Sequence, residues 1–305
     1  MGNPVSGAEL RQSMTRLLER LAVAKGEITL PAVPGMLEDY VAMCNGVFAA
    51  MGVRFDNDDV ALLRKNLADQ LAAAYAGSHR STIVISYEIP VGLSANYHVG
   101  ACWYTVEQSY ASWVGSRREP YFGTEPDARV CALAAAAADP AAFPVLDFGA
   151  GTGRNSLALA RRGHPVDAIE MTGKFAEMIR AKAAGEGLDV RVLNRDAFAA
   201  VEDLRRDYQL IVVSEVVCDF RGIDDLRAMF GLAAHCLAPG GQLVFNVFLA
   251  RGGFVPDDAA RQLGQQSYSM MFTYPEVAGA AAGLPLDLVA ADSVYDYEKA
   301  NLPAG

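Results

Sequence analysis

No segment of this 305-residue chain stays apolar for the roughly 20 residues that a membrane-spanning helix needs; runs such as Val130 to Ala138 stop far short. No charged leader followed by an apolar stretch opens the sequence, so no secretory signal is expected. Cysteine is sparse and scattered. Cys44, Cys102, Cys131, Cys218 and Cys236 include no Cys-x-x-Cys pair, which speaks against both a disulfide framework and a zinc site. His79, His98, His164 and His235 show no ligand spacing, and no metal is expected. Lysine accounts for only Lys25, Lys65, Lys174, Lys182 and Lys299 in an alanine-heavy, arginine-biased sequence, a composition associated with GC-rich bacterial genomes. With a net charge of -10, the chain would repel a phosphate backbone, so nucleic acid is not an expected substrate. A globular, cytoplasmic protein without membrane partners is expected, and 52% hydrophobic residues suffice for one large core or two modest ones.

Helical spacing of leucine and alanine predicts helices over Ser6 to Ala24, over Met36 to Met51, and from Asn57-Asp58-Asp59 to Ala76-Gly77. Gly26, Pro31 and Pro34 read as punctuation between the first two, which makes residues 1–90 a helical segment. Its one exception is Ser81 to Pro90, where β-branched residues alternate as in a strand or an extended lid. Residues 91–124 are dense in aromatics (Tyr97, Trp103, Tyr104, Tyr110, Trp113 and Tyr121) and read as a connector or lid, one or two of whose rings line a substrate pocket. From residue 125 onward, helices alternate with short apolar runs: strands at Val145–Phe148, Val166–Ile169, Val190–Leu193, Gln209–Val213 and Gln242–Phe248, with a last apparent strand at Ser293 to Tyr297. That alternation predicts an α/β fold, a doubly wound and mostly parallel sheet.

The first of these strands runs into Asp147-Phe148-Gly149-Ala150-Gly151-Thr152-Gly153-Arg154-Asn155, after which a helix begins. Glycines at such a turn let the backbone bend sharply and approach a ligand, and the helix N-terminus offers unpaired N–H groups to an anion. A dinucleotide fingerprint requires glycines at relative positions one, three and six. Here the sixth position is Arg154, and the third glycine falls at Gly153.

This Asp-x-Gly-x-Gly-x-Gly turn resembles motif I of class I S-adenosylmethionine (SAM)-dependent methyltransferases, and four later landmarks follow in that family's order. They are Glu170 at the second strand end, Asn194-Arg195-Asp196-Ala197-Phe198 at the third, Ser214-Glu215-Val216-Val217 at the fourth, and Leu237-Ala238-Pro239-Gly240-Gly241 entering the fifth. The resemblance covers about residues 125 to 295 and is closest to small-molecule enzymes, the tellurite-resistance-like group among them. It implies a Rossmann-like fold and SAM as cofactor. It further implies cofactor contacts from Asp147, Gly149, Ala150, Gly151, Gly153 and Asn155 at the methionine end, from Glu170 and Met171 at the ribose, from Asp196 and Ala197 at the adenine, and from Ser214.

Each position also has a plainer reading. Asp147 could cap the turn, Glu170 could be a solvated strand-end acid, and Asp196 could N-cap the segment after it; their joint spacing favours the cofactor. Glu215 and Tyr110 are the candidate catalytic residues. Because SAM carries its own activated methyl, no dedicated base is obligatory. The Asn/Asp-Pro-Pro-Tyr signature of amide and nucleobase amine methyltransferases is absent, with Ser214-Glu215-Val216-Val217 in its place, so a small molecule methylated at O or S is the expected acceptor, with the protein a monomer or homodimer. A nicotinamide-dependent oxidoreductase and a non-catalytic binding module on the same sheet stand as alternatives.

Overall fold

A computed structural model describes residues 6–21, 23–90 and 94–301. The chain divides into two compact units, residues 1–105 with 258–266, and residues 106–257 with 267–305.

The first unit is mixed α and β. It contains α1 (Gly7–Leu21), β1 (Val23–Pro31), α2 (Leu37–Ala50), α3 (Asn57–Gly77), β2 (Thr82–Pro90) and β3 (Asn96–Cys102). β2 is the central strand of a three-stranded sheet and pairs antiparallel with both neighbours, from Val23↔Pro90 to Pro31↔Thr82 on one side and from Thr82↔Cys102 to Glu88↔Asn96 on the other. Alternation along β2 buries Ile83, Ile85 and Ile89. They pack with Leu63, Leu67, Leu71 and Ala74 of α3, whose three- and four-residue spacing keeps them on one helix face. Asp56 starts α3 with a reciprocal capping box to Asp59. Residues 1–90 are therefore not the helical segment that periodicity predicts: the Gly26–Pro31 stretch read as punctuation lies within the nine-residue strand Val23–Pro31, which is paired along its whole length.

The second unit begins with α4 (Val106–Gly115) and α5 (Ala128–Ala135), then alternates β4 (Val145–Phe148), α6 (Arg154–Arg161), β5 (Val166–Ile169), α7 (Gly173–Glu186), β6 (Val190–Leu193), β7 (Tyr208–Val213), α8 (Ile223–Cys236) and β8 (Leu237–Phe245). All five strands are parallel, in the order β6-β5-β4-β7-β8. Every residue of β4 and β5 is buried, as expected of central strands covered on both faces. Apolar side chains of the sheet and α8, including Leu146, Ile211, Val213, Met229 and Phe230, form the largest core cluster. The segment after β6 is a short 3-10 turn over Phe198–Asp203. A parallel pair, β9 (Phe248–Leu249) and β10 (Met271–Phe272), brackets the excursion of the chain through α9 (Asp258–Gln266) of the first unit; α10 (Tyr274–Ala281) and α11 (Val294–Asn301) follow. α11 replaces the strand predicted at Ser293 to Tyr297, because in helical geometry Tyr297 and Glu298 both engage α5. The Arg129 guanidinium lies 3.6 Å from the Tyr297 ring centroid, and the Glu298 carboxylate accepts the Ala128 amide at 3.0 Å.

After β4 the chain adds β5 and β6 on one side, then returns to place β7 and β8 on the other. The order thus reverses between β4 and β7, and the crevice beyond their C-terminal ends is where open α/β sheets bind ligands. Among the described residues, no helix is long and apolar enough to cross a membrane.

Candidate active site

At the end of β4 the amides of Gly149 and Ala150 both reach the Ile169 carbonyl, at 2.9 Å, and lock the turn to β5. Gly149, Gly151 and Gly153 all have positive φ, of 71°, 55° and 84°. Gly149 also has no room for a side chain, because a Cβ there would stand 2.5 Å from Val216 Cγ2; a Cβ on Gly151 or Gly153 would be tight, 3.2 Å from the Phe122 ring and 3.0 Å from Ile179 Cγ1. The turn therefore requires glycine both for its conformation and for its close neighbours. Gly153 is the N-cap of α6, and Asn155 is buried in that helix's first turn.

Asp147 and Glu170 flank this turn in different ways. Asp147 is buried and accepts both the Ser156 amide (3.0 Å) and the Ser156 hydroxyl (2.5 Å), so its carboxylate secures the start of α6. Burial pushes its pKa up to about 6, against the lowering effect of Ser156. Glu170, also buried, accepts the Gly151 amide at 2.8 Å through one oxygen and the Thr172 amide at 2.7 Å through the other. Burial raises its pKa too, opposed by those same amides. Asn194, at the end of β6, donates to the carbonyls of Glu170 (2.8 Å) and Met171 (3.0 Å) and so fixes the strand end that carries them. Asp196 is exposed and accepts the Phe198 and Ala199 amides at 2.8 and 3.2 Å, while Ala197 beside it is buried.

The end of β7 joins this rim through a polar cluster that sequence reading missed. Arg154 forms an ion pair with Asp127 and donates to Ser214 Oγ at 3.1 Å; Asp127 also accepts from Ser214 Oγ (2.6 Å) and from the Asn155 side-chain amide (2.9 Å). Glu215 lies at the edge of the cluster, 3.8 Å from Arg154, with its side chain exposed. In sequence, Asp127 signals only a helix cap and Arg154 only a failed glycine position; their pairing needs three dimensions. Glu215 and Tyr268 are the two non-glycine residues with positive φ among the described residues, at 57° and 54°.

The predicted aromatic segment divides between the units: Tyr97, Trp103 and Tyr104 belong to the first, and Tyr110, Trp113 and Tyr121 to the second. In the second unit, Trp113 stacks on Phe122 with ring centroids 5.3 Å apart, and Phe122 meets Phe175 of α7 edge-on at 5.2 Å. Tyr110 lies near Phe122, Phe175 and Tyr268 and donates its hydroxyl to Asp219 at 2.6 Å. Burial, reinforced by the Asp219 carboxylate, pushes the Tyr110 pKa far up, so this phenol remains protonated. Thus Asp147, the three glycines, Ala150, Asn155, Glu170, Ser214 and Glu215 gather at the β4/β7 rim; Met171, Asp196 and Ala197 follow on the β5 and β6 ends; Tyr110 stands on α4.

Parallel strand order, a switch point and a glycine turn define the Rossmann-like class of nucleotide-binding folds. Within that class, residues 145–241, about a third of the chain, match the family described as a methyltransferase domain, a stretch that contains the turn, strands β4 to β7 and the start of β8. No curated protein matches the chain. Among solved structures, similarity extends to TehB from Haemophilus influenzae (19% identity over 54% of this chain and 59% of that one, TM-score 0.38). It extends also to the CcbJ methyltransferase from Streptomyces caelestis (31% identity, 41% of this chain and 51% of that one, TM-score 0.35). A third similar structure concerns the conversion of a disulfide bond into a thioacetal group during echinomycin biosynthesis (26% identity, 43% and 55% coverage, TM-score 0.38). The chain spans a little over half the length of these proteins.

Proposed function

We propose that the chain is a SAM-dependent methyltransferase acting on a small molecule, at oxygen or sulfur. One observation carries the reading: a turn of three left-handed glycines at the switch point of a parallel sheet, with strand-end acids Glu170 and Asp196 following it in order along the rim.

The residues present fit the cofactor. The glycines of the turn stand close against their neighbours in left-handed backbone, and the turn leads into the α6 N-terminus, which suits the methionine carboxylate. Each oxygen of Glu170 accepts one amide and retains a second lone pair, so the carboxylate can take ribose hydroxyls without releasing the turn. Asp196 holds its 3-10 turn through Oδ1 and has a second oxygen for the adenine amine, with the Ala197 amide beside it. When bound, SAM supplies an activated methyl that needs only an aligned nucleophile and a dry site. Glu215 faces that rim from β7, and the Tyr110–Phe122–Phe175 rings contribute apolar surface that excludes water. Tyr110, held protonated by burial and by Asp219, already donates its one proton to that carboxylate and cannot act as a base. Acceptors that ionise readily, such as thiols, carboxylates or acidic phenols, match a site with no assigned base.

Methyl-labelled SAM incubated with the protein and pools of small thiols, carboxylates and phenols tests this reading. Enzyme-dependent transfer of label to an O- or S-methyl product is expected. Label that stays on SAM with every pool, despite tight SAM binding, would instead favour a non-catalytic module.

A further inference from the structure

Glu215 holds a backbone conformation that costs an L-residue free energy, and such strain persists only where neighbouring groups over-determine it. Here both its backbone groups are engaged by side chains. Its N–H donates to Asn246 Oδ1 at 2.6 Å, and its carbonyl accepts from Cys218 Sγ at 3.0 Å. Asn246 follows the last residue of β8, the strand beside β7, so the bond crosses from one parallel strand end to the next. The next residue, Val216, packs against Gly149, which places this bend directly against the glycine turn. Glu215's side chain is exposed, with its carboxylate 3.8 Å from Arg154, which is itself engaged by Asp127 and Ser214. A strained residue whose backbone is held on both sides, and whose carboxylate stands exposed at a ligand crevice with a long contact to Arg154, has its side chain's starting direction set by its surroundings.

We propose that Asn246 is a positioning residue: it holds Glu215 left-handed so that the carboxylate at the β7 end serves as counter-charge to the cationic sulfur of the cofactor. This rests on the methyltransferase reading and adds to it a residue that no motif marks. S-adenosylhomocysteine provides the discriminating probe, because it lacks the methyl and the sulfonium charge but keeps every other group of SAM.

The experiment is calorimetric titration of the full chain with SAM and with S-adenosylhomocysteine. Glu215→Gln is expected to weaken SAM about threefold to tenfold and to change S-adenosylhomocysteine by less than about twofold. Asn246→Ala should reproduce that selective loss, and should add nothing further in the Glu215→Gln background. Asn246→Asp, which keeps an oxygen for the Glu215 amide, should bind SAM at least as tightly as wild type. A second measurement does not depend on folding of the Asn246 variants: Glu215→Gly should melt about 2 °C or more above Glu215→Ala, because glycine accepts positive φ. Equal melting of those two, parallel losses for both ligands in Glu215→Gln, or the same SAM loss from Asn246→Ala with and without Glu215→Gln, overturns the assignment. Wild-type protein that binds neither compound overturns the methyltransferase reading as well; binding of both with no selective effect at Glu215 overturns this assignment alone.

Discussion

Asp127 occupies the N-cap position of α5 but turns its carboxylate away from that helix to Arg154, the residue that follows the glycine turn. Glu298 from α11 accepts the Ala128 amide in its place. The exchange links the start of α6, the end of β7 and the C-terminal helix, and it makes Asp127 a strut of the rim rather than a local cap.

Removal of one partner from this half-buried pair leaves the other charge poorly solvated, so Asp127→Ala should lower stability by roughly 2 kcal/mol. A double-mutant cycle with Arg154→Ala, followed by urea denaturation, should return a coupling of about 1 kcal/mol or more. Additive losses would show that the two side chains act independently.

Gly149→Ala meets two separate obstacles, its left-handed φ and the Val216 methyl 2.5 Å from the new Cβ. Val216→Ala in the same chain removes the second obstacle and leaves the first, about 1–2 kcal/mol. Thermal melts should rank wild type above the double variant, and the double variant above Gly149→Ala. A double variant no better than Gly149→Ala would mean that the contact with Val216 is unimportant.

The buried Asp147 carboxyl titrates near pH 6 in the folded chain against an ordinary value of 3.8. Between those values the native state binds more protons than the unfolded state, so this group's contribution to stability falls as pH rises and is constant above pH 6. Asp147→Asn lacks that loss. The stability of Asp147→Asn relative to wild type should therefore increase from pH 4 to pH 6, by roughly 3 kcal/mol at most, and then level off. A difference that does not vary with pH would contradict the burial assigned to Asp147.

Trp113 stacks on Phe122, which lies over Gly151, whereas the other tryptophan, Trp103, packs beside Gly77 in the first unit. A ligand at the glycine turn should perturb Trp113 selectively. The intrinsic fluorescence change on SAM addition should survive Trp103→Phe and vanish in Trp113→Phe; the opposite pattern would place the ligand elsewhere.

What the sequence reveals and what it hides divide along local and long-range lines. Strands β4 to β7 and the glycine turn are legible because short, mostly apolar runs recur between helical stretches and because left-handed backbone favours glycine. The N-terminal sheet is not. Gly26 looks like a breaker, yet it faces Tyr87 across the β1–β2 ladder, and any Cβ there would strike the tyrosine ring; the reason for that glycine lies about 60 residues away. Residues Ser293 to Tyr297 alternate like a strand because their partners on α5 are invisible in one dimension. At the site, the strand-end acids follow from motif order, but Asp127, Asn194 and Asn246 act through neighbouring strand and helix ends, which only the topology brings together.

Isothermal titration of the folded wild-type chain and of Glu170→Ala with SAM tests the central claim most directly. One saturable site in the wild type, weakened at least about tenfold when the carboxylate that spans Gly151 and Thr172 is removed, is the predicted result. Wild-type protein that releases no binding heat, or a folded Glu170→Ala variant with unchanged affinity, would contradict it.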